Sequence, residues 1–212
     1  IEYVDKGNAF VQLDILYQLT EDDPGGYVDD RFDYYSELDG LGDNPADYDR
    51  RISELKNSMD GTNDAENHYL IGMILNHYPV WHESIVNYED VSQRTSEQAV
   101  FHHNKAKELA PDVAKYHYAA YYSNTNNFQN KNWDAAEADI QKYYDLSGDE
   151  DTYLRSKIEI AKGRNAHDQV MQHTEELFNL FGDYNDLTSA AYYFDGSGDY
   201  ETAESLFRRA LL

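Results

Sequence analysis

Eight histidines and 41 Asp and Glu residues are the side chains of this 212-residue chain with the widest chemical reach. Histidine does acid–base work near neutral pH and ligates metals as the neutral ring. However, His102-His103 and the region of His117 and Tyr118 hold no His-Glu-x-x-His zinc signature, and the imidazoles are spread over several segments. His103 reads as a packed core residue. No serine stands in a G-x-S-x-G elbow, and no glycine-rich loop precedes a Lys-Ser or Lys-Thr pair, so hydrolase and nucleotide-binding chemistry lose support. Zero Cys excludes disulfides, thiolate zinc sites, iron–sulfur clusters and cysteine nucleophiles together. Carboxylate pairs for glycoside hydrolysis are weak evidence in a chain this rich in acids. With 20 Tyr and two Trp to stack on sugar rings, glycan binding or processing is kept as a minor reading. No catalytic residue, metal or cofactor is expected.

A formal charge of −24 sets the electrostatic frame. Such a field repels phosphate backbones and anionic lipid, which argues against nucleic-acid partners and favours neutral or basic ones. An apolar fraction of 41% with 14% aromatics is too rich for a solvated random chain. The longest apolar run, Tyr69 to Leu75, is far shorter than the roughly 20 residues of a membrane-spanning helix, so no membrane insertion is expected. Acidic surfaces of this kind suit salt-adapted proteins; a periplasmic, secreted or cell-surface setting is slightly favoured over a salt-adapted cytoplasm. Beginning at Ile1 without Met, the chain reads as a processed form or a fragment.

The elements that position these residues are helices. Asp39-Gly-Leu-Gly-Asp43, Asp60-Gly-Thr-Asn-Asp64, Ser147-Gly-Asp149 and Asp195-Gly-Ser-Gly-Asp199 read as junctions where Gly ends one helix and Asp caps the next. None fits the D-x-[DN]-x-[DN]-G calcium loop. Apolar residues recur at three and four, as in Ile140, Tyr143, Tyr144 and in Val170, Leu177, Phe178, Phe181. The pattern predicts helices over 6–19, 30–38, 45–58, 65–78, 81–92, 96–109, 112–123, 132–146, 150–163, 166–180, 184–195 and 199–211, an all-α chain. An acidic helical region, 1–64, precedes a repeat array, 65–212, and is expected to continue it.

Self-similarity organises that array. Ala99, Ala136, Val170 and Ala203 fall in one column at separations of 37, 34 and 33 residues. His103, Ile140, Thr174 and Phe207 follow four residues later, and Ala106, Tyr143, Leu177 and Ala210 three beyond those. In the last unit Leu187, Ala190-Ala191, Phe194, Gly198-Asp199-Tyr200, Ala203, Phe207 and Ala210 resemble the tetratricopeptide repeat pattern. Ala99, His103, Ala106 and Pro111 resemble a second helix with its closing proline, and His68, Ile71-Gly72 and Leu75 a first helix. Ile158 and Asn124 depart from it, standing where small residues are expected.

The resemblance implies antiparallel helical hairpins, about four units, stacked as a right-handed superhelix or α-solenoid. It also implies a non-catalytic scaffold that takes a protein or peptide partner in a concave groove lined by the first helix of each pair. Carried over by register, exposed groove positions fall on Tyr118 and Tyr121, Arg155 and Glu159, and Asn185, Thr188 and Tyr192. Arg155 and Lys162 are too few for the family's basic clamp on acidic peptide termini. An insertion over about 76–93 holds Trp81 and Tyr88, further candidates for partner contact, on a helix of its own at 81–92. Ala210-Leu211-Leu212 closes the chain without a capping helix, which implies truncation or self-association through that face, and so a self-assembling subunit of filament or surface-layer type as the alternative role.

Overall fold

Amide and carboxylate side chains start these helices, and glycines end several of them. Asn44, Asn132, Asp149, Asp183 and Asp199 each accept a hydrogen bond from a first-turn backbone amide, a cap worth about 1 kcal/mol. Gly148, Gly182 and Gly198 close the preceding helices in the left-handed conformation, at φ 69°, 70° and 87°. Two junctions differ from the expected capping. At the first, Asn44 caps the following helix in place of Asp43. At the second, the Asp64 carboxylate sits inside the helix and reaches back to the amides of Asp60 and Gly61.

A computed structural model describes residues 41–127 and 130–211, all within a compact unit spanning Tyr34–Leu212. The helices expected at 6–19 and 30–38 lie outside the described residues. Among those described, the helices are α1 (Pro45–Asn57), α2 (Asp64–Asn76), α3 (Tyr88–Leu109), α4 (Ala114–Asn126), α5 (Trp133–Ser147), α6 (Glu150–Gly163), α7 (His167–Phe181), α8 (Tyr184–Ser197) and α9 (Tyr200–Ala210), and no strand occurs. The hairpins α2–α3, α4–α5, α6–α7 and α8–α9 pack tightest, and each leans on the next in chain order. Helix α1 joins the first of them, its Tyr48, Ile52 and Leu55 closing over Ile71, Ile74 and Leu75.

The separate helix expected over 81–92 does not form. The chain turns through 77–87, and α3 then runs unbroken for 22 residues, overreaching its 13-residue partner α2. The insertion is thus part loop and part extra helical turns. Its first turns are exposed from Tyr88 to Asp90, so little packing enforces a helical stripe there.

Small residues set the approach of the paired helices. Ala99, Ala136, Val170 and Ala203, the shared column of the sequence, are all at most 1% exposed. At Gly72 on α2 the fully buried ring of His103 from α3 lies where a Cβ would stand. His103 Nδ1 is 2.6 Å from Ser123 Oγ of α4, and Asn76 Nδ2 donates to that same oxygen at 3.0 Å, so one ring joins three helices. The two departures from the repeat pattern are also accommodated. Ile158 lies in the apolar core of the last two hairpins, and Asn124 donates to Ala120 O and to Asp139. Asp139, 5% exposed, is held by Lys107 Nζ at 2.6 Å and faces His117 Nδ1 at 3.7 Å, a polar seam joining α3, α4 and α5.

Candidate partner-binding surface

Helices α4, α6 and α8 each bury one stripe and expose the stripe beside it. With Leu187, Leu154 and His117 superposed by register, Ala191, Ile158 and Tyr121 fall in one column, and all three are buried. One position later comes the column Tyr122, Glu159 and Tyr192, all three exposed. Between these lies a half-buried column of Tyr118, Arg155 and Thr188. Helical geometry puts positions four apart on one face, so on each of α4, α6 and α8 the two columns share a face, the first-helix track.

Tyr121 therefore does not hold the exposed position expected of it. It lies in the apolar cluster with Ile140 of α5 and Ile160 of α6, where burial pushes its hydroxyl well above the ordinary tyrosine range. The exposed residue at this place is its neighbour Tyr122. Sequence reasoning missed Tyr122 by one step; its register, five residues beyond His117 as Tyr192 is five beyond Leu187, was the signal that marks it. Tyr118 is half-covered, its ring between those of Tyr121 and Tyr143 at 5.5 and 5.3 Å. Tyr192 is half-exposed and meets Phe207 edge-on at 5.1 Å.

Arg155 is committed within the molecule. Its Nε donates to Asp151 at 2.9 Å, and the guanidinium crosses from α6 to α8, pairing with Asp186 and lying 3.8 Å from Asp183. Burial raises the Asp186 carboxyl, and the Arg155 guanidinium offsets part of that rise. Glu159 projects outward and accepts from Lys162 Nζ at 2.8 Å; the same ammonium reaches Ser189 of α8 at 3.2 Å. Asn185 is exposed, and Thr188 Oγ1 donates to Tyr184 O at 3.1 Å. Between α2 and α4, Glu66 accepts from Lys115 Nζ at 2.9 Å and from the Tyr116 hydroxyl at 2.7 Å.

Trp81 and Tyr88 sit apart from this track. Trp81 on the loop before α3 stacks on Tyr88, the first residue of α3, at 4.8 Å, and Trp81 is 79% exposed. The histidines are packing groups. Burial depresses His103 to about 3 and His102 to about 4, and His102 Nδ1 lies 2.8 Å from His68 Nδ1, so one neutral ring donates to another. Among the described residues no three His, Asp or Glu converge as metal ligands, and no helix is long and apolar enough to cross a membrane.

Searched against solved structures, the chain is similar to the crystal structure of MamA, with a TM-score of 0.56 at 18% identity over 78% of this chain and 88% of that one. The structure MamA MSR-1 C2 is similar at a TM-score of 0.55 and 14% identity, covering 83% of this chain and 92% of its own. The fold is a tetratricopeptide-like helical solenoid. No family model and no curated protein sequence matches the chain. At these identities the likeness speaks to the fold alone, which agrees with the hairpin order and the small-residue columns described above.

Proposed function

We propose that the protein is a non-catalytic interaction scaffold whose first-helix track, Tyr118, Tyr122, Glu159, Asn185, Thr188 and Tyr192, receives a neutral or basic protein segment. The observation that carries this reading is the regular exposure of Tyr122, Glu159 and Tyr192 in one column while the column beside it is buried. Tyrosine supplies a flat face and a hydroxyl at low entropic cost, and Glu159 supplies charge that complements a Lys or Arg. The net charge of −24 steers such a partner inward. Arg155 supports the track from beneath, tying α6 to α8. Trp81 and Tyr88 form a separate exposed aromatic pair, the place where a partner longer than the track would make further contact.

The test is affinity capture with the intact chain and with Tyr122→Ala/Glu159→Lys/Tyr192→Ala, two variants that should share one circular dichroism spectrum. Loss of the captured partner from the triple variant supports the reading. Equal capture by a folded triple variant overturns it.

A further inference from the structure

A second cleft, away from the first-helix track, carries charge of the opposite kind. It lies between α1, the end of α2 and the first half of α3 and encloses about 350 Å³, within the size range of small-molecule sites. Ile52 and Leu75, 7% and 4% exposed, lie at its base, and the half-buried Tyr78 ring, fixed edge-on against Tyr48 at 5.7 Å, forms part of its wall. The Tyr78 hydroxyl donates to Asp49 Oδ1 at 3.1 Å, which engages the carboxylate on that wall. Lys56 and Arg94 stand on the rim, with Gln98 beside Arg94.

The placement of those two cations is the feature that matters. The chain has 41 Asp and Glu for 17 Lys and Arg, so a cation has abundant carboxylates to pair with. Most described cations do pair, among them Arg50, Lys107, Lys115, Arg155, Arg164 and Arg209. Lys56, Arg94, Lys131 and Lys142 have no side-chain ion pair among the described residues, and two of these four, Lys56 and Arg94, line this one cleft. Two cations without an ion pair among the described residues, beside the Tyr78 ring, match a ligand with an anionic head and a small apolar tail, since a guanidinium takes a carboxylate in a two-point grip and an ammonium adds charge without fixed direction.

We propose that this cleft binds a small carboxylate with an apolar tail, the head between Lys56 and Arg94 and the tail on Ile52, Leu75 and Tyr78. A free short-chain acid and the C-terminal residue of a peptide share that chemistry. The inference is independent of the first-helix track, and either can fail without the other.

Titration calorimetry on the full chain at low salt tests it with three probes: hexanoate, the peptide acetyl-Ala-Ala-Leu with a free carboxylate, and the same peptide amidated. Saturable binding of at least one carboxylate is expected, with the amide weaker by about tenfold or more. Lys56→Gln and Arg94→Gln, both at exposed positions, should each weaken it by about tenfold while leaving the circular dichroism spectrum unchanged. Tighter binding of the peptide assigns the cleft to a chain terminus, and tighter binding of hexanoate to a free acid. No saturable binding of either carboxylate, equal binding of the amide, or folded variants with unaltered affinity would each overturn the proposal.

Discussion

Replacing Gly72 by Ala isolates the contact on which the first hairpin is built. Gly lies mid-helix in α2, so Ala alone would favour the helix by about 1 kcal/mol. Against that gain, the new methyl falls within the His103 ring, whose every side is occupied: it is fully buried, beside the Tyr69 ring at 6.1 Å, and 2.6 Å from Ser123 Oγ. Overpacking of this kind costs about 1–3 kcal/mol, and breaking a buried hydrogen bond to make room adds about 1–3 kcal/mol. Loss therefore outweighs gain, with a net destabilisation of about 1–5 kcal/mol, or roughly 2–20 °C in a unit of this size. Gly196→Ala in α8 is the matched control, because its Cβ meets nothing within 4 Å and should leave stability equal or slightly raised. Thermal melts of both variants, together with Gly72→Ala/His103→Ala, complete the test. The double variant should be no less stable than His103→Ala alone, since the clash needs both partners. A Gly72→Ala protein as stable as the parent, or strict additivity in the double variant, would refute the assigned packing.

Three further outcomes follow from the buried charges. His103 is depressed to about 3, below its ordinary 6.5, so between those values the unfolded chain binds a proton that the folded one refuses; stability falls as pH drops, by about 2 kcal/mol from pH 6.5 to 5. Urea melts at pH 7 and 5 should show that loss, reduced in His103→Asn, and an unchanged midpoint would contradict it. Lys107→Met leaves the buried Asp139 carboxylate without its cation and should cost about 3–5 kcal/mol in urea unfolding, most of it recovered by adding Asp139→Asn. Raising NaCl from low to molar concentration should lift the melting midpoint if the acidic surface is a salt adaptation, and a flat or falling midpoint excludes that adaptation.

The helical hairpins were legible because their contacts are local and periodic. Ala99, Ala136, Val170 and Ala203 share a column since each marks the closest approach within its own pair, and His103 reads as core for the same reason. The start of α3 was illegible: its first turns face solvent, so the apolar period that announces a helix is missing although the helix is there. Tyr121 and Tyr122 show a second limit. Two adjacent tyrosines on one helix differ only in which neighbour covers them, and the cover of Tyr121 comes from Ile140 on α5 and Ile160 on α6, far along the chain. Arg155 is a third case, its partner Asp186 lying in the next repeat, so the sequence shows a groove cation where the fold has an internal strut.

That strut is one of several. Lys107, Lys115, Lys157, Arg164 and Arg209 are likewise engaged by carboxylates, many of them on another helix. Because positive charge is drawn into these seams, the outer envelope behaves as a polyanion wrapped in a cloud of loosely held small cations. A basic segment settling on Tyr122, Glu159 and Tyr192 must displace part of that cloud, so its arrival is fastest in dilute buffer and slows as added salt refills the space around the carboxylates.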